Sequence, residues 1–173
     1  MPEPFADQRL LLDELVAVVR ALERGERAFR PPVAFSTHAR DMHLAGLAQS
    51  IAQAYTRMEG LLNFIARQVD ADPVVGESWH RMLLARVQRP RTGARPAVIS
   101  AASSEELREL LSFRHVVRSH YPSELEEERV REHLARLVRA TRRFSREYRR
   151  FLAQMTPRAT VPRKRRRNAP GGD

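Results

Sequence analysis

The stretch LAGLAQSIAQAYTRMEGLLNFI, from Leu44 to Ile65, decides the fold. Its large apolar residues fall at Leu44, Leu47, Ile51, Met58, Leu61, Leu62 and Ile65, with Ala54 in the same register. Intervals of three and four residues put them on one face of a helix with 3.6 residues per turn, and no alternation of period two competes. Ser36 or Thr37 can cap this helix, expected near Ala39–Val69, and Asp70-Ala71-Asp72-Pro73 ends it.

The same periodicity extends outward in both directions. Leu11, Leu12, Leu15, Val18, Val19 and Leu22 predict a first helix from Ala6 to Ala28, broken by Pro31-Pro32. Trp79, Met82, Leu83 and Val87 predict a short third helix over Glu77–Gln88, followed by a loop to Ala102. Ser103-x-x-Glu106 reads as a capping box for a fourth helix reaching His120. Ser123-x-x-Glu126 reads as another, opening a fifth helix with the stripe Leu134, Leu137, Val138, Thr141, Phe144, Tyr148, Phe151 and Leu152. The expected architecture is all-α, an up-and-down bundle of four to five helices over residues 1–156, with a basic, disordered tail at 157–173.

Composition limits the chemistry. The 173 residues include no cysteine, which removes disulfides, thiolate catalysis and cysteine-bound zinc. His38 and His43 stand five apart, a poor spacing for a shared metal on one helix face, so neither a metal nor a cofactor is expected. No apolar run approaches the roughly 20 residues of a membrane span. Met1-Pro2-Glu3-Pro4 lacks the basic and apolar regions of a secretory signal, so a cytoplasmic protein without membrane contact is expected. The net charge is +10, and half of the excess lies in the tail, where Arg158, Arg163, Lys164, Arg165, Arg166 and Arg167 face Asp173 alone. Arg136, Arg139, Arg142, Arg143, Arg146, Arg149 and Arg150 add a basic side to the fifth helix. A polyanion such as RNA is the partner such a balance favours, although arginine-rich faces are also commonly just solvated.

The chemistry concentrates in Phe113-Arg114-His115-Val116-Val117-Arg118-Ser119-His120-Tyr121, ahead of Pro122. Leu110, Phe113 and Val117 share the core stripe of this helix. Arg118 lies about 40° from Arg114 and Tyr121 about 20° on its other side, so these three share the neighbouring face. His120 falls about 120° away on a straight helix. Pro122 disfavours α geometry at Tyr121, so the last turn can unwind and bring the imidazole round. Guanidiniums grip an anion, and an imidazole moves a proton near neutral pH.

This run resembles the HEPN superfamily of helical-bundle ribonucleases, and within it the HepT-like ribonuclease toxins, whose motif is Arg-x4-His-x-Tyr. Tyr55-x3-Glu59, Trp79-His80, Arg95-Pro96 and Phe113-Arg114-His115 are similar to the same family, over roughly Ala39 to Leu137. Ser119 occupies the position of the family histidine, with His120 one place later and Tyr121 in register. Two readings stand: His120 substitutes and the site is active, or the chain is a degenerate module that binds RNA or nucleotide without cleavage. The resemblance implies metal-independent cleavage of RNA, tRNA among the targets, through the ribose 2′-hydroxyl. It implies Arg114, His120, Tyr121 and Glu59 as the catalytic set, with Arg118, His115 and Ser119 contacting RNA. It further implies a homodimer, and a nucleotidyltransferase antitoxin that attaches AMP to Tyr121.

Overall fold

The computed structural model describes residues 5–119 and 124–156. Among them stand five α-helices: α1 (Ala6–Ala28), α2 (Thr37–Phe64), α3 (Trp79–Val87), α4 (Ala101–Ser119) and α5 (Glu127–Met155). The described residues form no strand beyond a single bridge between Arg91 and Arg95. The fold is the all-α bundle that the periodicity predicts. No helix among the described residues is long and apolar enough to cross a membrane.

α2 is the central post, touching each of the other four helices. Residues on several of its sides are buried, including Leu44, Ala48, Ile51, Ala52, Tyr55 and Leu62, as a helix surrounded by neighbours requires. α1 contributes Leu12, Leu15 and Val19, and α5 contributes Val130, Leu137, Phe144, Phe151 and Leu152. The Tyr148 hydroxyl of α5 lies 2.8 Å from Gln8 Oε1 and 3.0 Å from the Leu61 carbonyl, tying three helices at one level.

Several local expectations need correction. Leu11 and Val18 belong to the predicted stripe of α1 but are exposed, because that helix buries a narrower face centred on Leu12, Leu15 and Val19. With Leu10 they leave an apolar surface. Ser36 caps α2, accepting from the Ala39 amide at 3.1 Å. Ser103 does not cap α4: it sits inside the helix, buried, and Ser100 accepts from its amide at 3.2 Å. α5 starts at Glu127, with Glu126 at the N-cap and no side-chain cap, while Glu127 and Glu128 occupy the first turn. Ser123 lies outside the described residues, as does the tail from 157 onward. The basic side of α5 is partly neutralised, since Arg142 faces Glu23, Arg143 faces Glu106, and Arg149 meets Asp13 at 2.6 Å.

What fixes the lower end of the bundle is a buried ion pair. α2 runs into a π-helical turn, Ile65–Val69, and Ala71 then takes a left-handed φ of 51°. Asp70 is thereby held inward. The loop after α3 folds back through Gly93, whose φ of 74° suits a residue without a Cβ. Arg91 and Arg95 close that turn, with the Arg91 amide donating to the Arg95 carbonyl at 2.8 Å. Arg95 then reaches Asp70 through two bonds, Nε to Oδ1 at 2.6 Å and Nη2 to Oδ2 at 2.8 Å. The two side chains are 1% and 0% exposed. Arg95 Nη1 also donates to the carbonyls of Arg89 and Pro96, both at 3.0 Å.

A desolvated bidentate pair is expensive to break one-sidedly, because the survivor is left charged and dry. Arg95→Ala should therefore cost about 3–5 kcal/mol in denaturant unfolding. The double variant Asp70→Leu with Arg95→Met should recover most of that loss.

Candidate functional site

The site forms where the C-terminal half of α4 meets α2 and the start of α3. Glu59, on the buried side of α2, is 6% exposed. One turn before it, the buried Tyr55 donates its hydroxyl to Glu59 Oε1 at 3.0 Å. His80, at the N-terminal end of α3, places Nδ1 against the same carboxylate oxygen. Trp79 stacks on the His80 ring with centroids 3.8 Å apart. A buried carboxylate is tolerable only with such donors around it, so the trio satisfies itself. Burial first, and the Glu59 carboxylate second, push the Tyr55 phenol far above its ordinary pKa, so it stays a donor.

α4 supplies the second half. Arg114 lies beside Tyr55 and donates from Nε to Thr56 Oγ1 at 3.2 Å. Its Nη1 is buried without a hydrogen-bond partner. His115 is exposed and points its ring at His80, with centroids 6.1 Å apart and planes at 85°. Desolvation where the His115 ring packs, then the positive charges of Arg114, His80, Arg118 and Arg81, hold its pKa below 6.5. Behind α4, Phe113 stacks on His133 of α5 with centroids 4.1 Å apart. Burial and then Arg136 lower the pKa of that histidine too.

The sequence-predicted residues thus divide. Arg114 and Glu59 belong to the same neighbourhood through Tyr55, and His115 joins it through His80. Arg118 is exposed on the last turn of α4. Ser119 is exposed, and its hydroxyl donates back to the His115 carbonyl at 2.8 Å, a contact made with its own helix. His120, Tyr121 and Pro122 lie outside the described residues. His43 Nε2 lies 3.0 Å from Glu26 Oε1 and its ring stacks on Phe29, a contact between α1 and α2 far from this cluster in sequence.

His80 and Tyr55 are the members that residue-by-residue reading of the fourth helix does not reach. Their signal is present but quiet: a Tyr and a Glu one turn apart on an apolar face, and a Trp-His pair opening a short helix. The ensemble holds a guanidinium with an unpaired nitrogen, one imidazole locked by a carboxylate, and a second imidazole whose pKa is lowered. Such a set suits acid–base chemistry at a phosphoryl centre.

A family model described as HepT-like protein matches residues 46–155, which contain α3, α4 and α5 whole and about two thirds of α2. No curated protein and no solved structure matches the chain.

The lowered pKa values of His115 and His133 fix the sign of a pH effect. The folded chain binds fewer protons there than the unfolded chain, so stability is full above about pH 7 and falls as pH drops through 6.5. Thermal midpoints should decline from about pH 7.5 to about pH 5.5, and His133→Phe should flatten the decline.

Proposed function

The chain belongs to the HepT-like family, and on that footing we propose that it is a metal-independent ribonuclease, the toxin of a prokaryotic toxin–antitoxin pair. The observation that carries the reading is the convergence of Arg114 with imidazoles and a buried carboxylate at one helix junction. The attacking group is the ribose 2′-hydroxyl, so RNA is cut and DNA, which lacks it, is not. Arg114 stabilises charge growing on the phosphoryl oxygens, helped by Arg118. His120, in the shifted position of the family motif, serves proton transfer, and Ser119 and His115 contact the RNA strand. The exposed arginines of α5, Arg139, Arg146 and Arg150, attract the phosphate backbone without reading sequence.

The partner that restrains such a toxin is a nucleotidyltransferase that attaches AMP to Tyr121. A phosphate placed there competes for Arg114 and blocks the strand. The apolar patch of Leu10, Leu11 and Val18 supports assembly of the chain as a dimer in the cytoplasm.

Ser119 supports a second reading, in which the chain grips RNA or a nucleotide without cutting it. Its hydroxyl is spent on a backbone carbonyl and cannot carry acid–base work at neutral pH.

Expression of the wild-type chain should arrest a bacterial host, and Arg114→Ala should relieve the arrest. Purified protein should cut single-stranded RNA in the presence of a metal chelator, leave the matching DNA intact, and lose about 100-fold or more of its rate with Arg114→Ala. Intact RNA with the wild-type chain, together with cleavage gained on Ser119→His, would establish the binding-module reading instead.

A further inference from the structure

Two imidazoles that the motif leaves out stand face to edge at the site, and we infer that His80 and His115 are its phosphoryl-binding proton-transfer pair, His80 as general acid and His115 as general base. The inference rests on the ribonuclease reading above but moves the proton transfers from His120 to these two rings, so that His115 acts on the ribose hydroxyl and not merely as a strand contact.

Geometry comes first. His80 is anchored through Nδ1 to Glu59 and stacked on Trp79, so its ring has one orientation. Nε2 is then the nitrogen left for a substrate, and it carries no protein partner among the described residues. A carboxylate behind an imidazole sets its tautomer and offsets the charge of its protonated form. His115 makes no hydrogen bond through its ring among the described residues, and the ring is exposed. The unpaired Nη1 belongs to the residue before it, Arg114, which is held to α2 by its bond to Thr56 and whose charge acts on Tyr55, the partner of Glu59.

Charge assigns the roles. The groups around the pair are Tyr55 and Glu59 on α2, His80 and Arg81 on α3, and Arg114 and Arg118 on α4. The single carboxylate in this set touches His80 Nδ1, so it orients that ring and offsets positive charge on it during the reaction. His115 faces only cations, and its depressed pKa leaves it neutral and able to accept.

The step balances without any co-reactant. The 2′-hydroxyl gives its proton to a ring nitrogen of His115, and its oxygen pair forms the bond to phosphorus. The bond from phosphorus to the 5′-oxygen breaks with its electron pair on that oxygen, which takes the proton from His80 Nε2. A 2′,3′-cyclic phosphate and a 5′-hydroxyl result. The pair still holds one proton, now on His115, and its return to His80 through solvent resets the site.

The test uses the full chain and a single-stranded RNA oligonucleotide, alongside the same RNA carrying a sulfur in place of one bridging 5′-oxygen. Thiolate leaves without an acid, so the sulfur substrate separates the two roles. His80→Asn should cut the normal RNA about 100- to 10,000-fold more slowly yet cut the sulfur RNA near the wild-type rate. His115→Asn should be slow on both. Glu59→Gln, a change at a positioning residue, should move the alkaline limb of the rate profile to lower pH, which a purely structural carboxylate would not do. Wild-type rates for both asparagine variants, with Arg114→Ala inactive, would overturn the pair and leave the ribonuclease reading standing. A wild-type chain that cuts no RNA would end that reading and the acid–base roles with it. Inorganic phosphate, titrated while the two imidazole proton resonances are followed, then decides the remaining part: movement of both retains a phosphoryl site, and unmoved resonances remove it. That titration uses wild-type protein, so it also decides the matter should an asparagine variant fail to fold.

Discussion

The Asp70–Arg95 pair is the constraint on which the lower half of this bundle turns. α3 is short, nine residues, and its amphipathic face is too small to fix its own position. Its start carries His80, and its end must be returned to α4 through a loop that buries Val98 and Ile99. Arg95 locks that loop to the end of α2 with two bonds to Asp70 and two more to loop carbonyls. The Val98 amide then donates to the Val87 carbonyl at 2.8 Å, sealing the loop against α3. A domain of this size is stabilised by roughly 5–15 kcal/mol, so an interaction whose one-sided loss costs about 3–5 is a large share. By contrast the exposed pairs on α5 are worth about 1 kcal/mol or less each.

A second buried charge, Glu59, shows why the site sits where it does. A carboxylate in the wall of a core helix costs stability unless donors meet it, and a leucine there would pack more cheaply. Its retention makes sense if the group does something a leucine cannot. It fixes Tyr55 in its protonated form and points the His80 ring in one direction. The two buried anions thus act in sequence along the chain: Asp70 positions the helix, and Glu59 positions the ring that the helix carries.

Much of the fold was legible in the chain because helical periodicity is a local signal. α1 runs from Ala6 to Ala28 as the apolar spacing predicts, and the extent of α2 with its π turn reaches Val69. Caps were less legible. Ser-x-x-Glu at Ser103 has the form of a capping box, but Ser100 lies one turn earlier and does the work, leaving Ser103 in the helix. Which residues of an apolar stripe are covered depends on neighbours, and so Leu11 and Val18 face outward. The site was half legible for the same reason. Arg114 and His115 stand in one short run, whereas His80 joins them only because the Asp70–Arg95 pair folds α3 back. Nothing local in Trp79-His80 states that a carboxylate 21 residues earlier will receive the ring.

Ser119 then takes on a different meaning from a simple loss. In a helix, a seryl hydroxyl is free to bond the carbonyl four residues back, and this one bonds that of His115. The residue at the motif position therefore touches the backbone of the very histidine that faces His80. Phosphoryl chemistry asks for two proton carriers and a cation near one phosphorus, and it is indifferent to which helix supplies each. Three helices meet at this junction, one bearing the carboxylate, one the locked imidazole, and one the guanidinium and the neutral imidazole. A family histidine can be displaced from such a junction while its task passes to neighbours, provided the buried carboxylate that orients them stays in place.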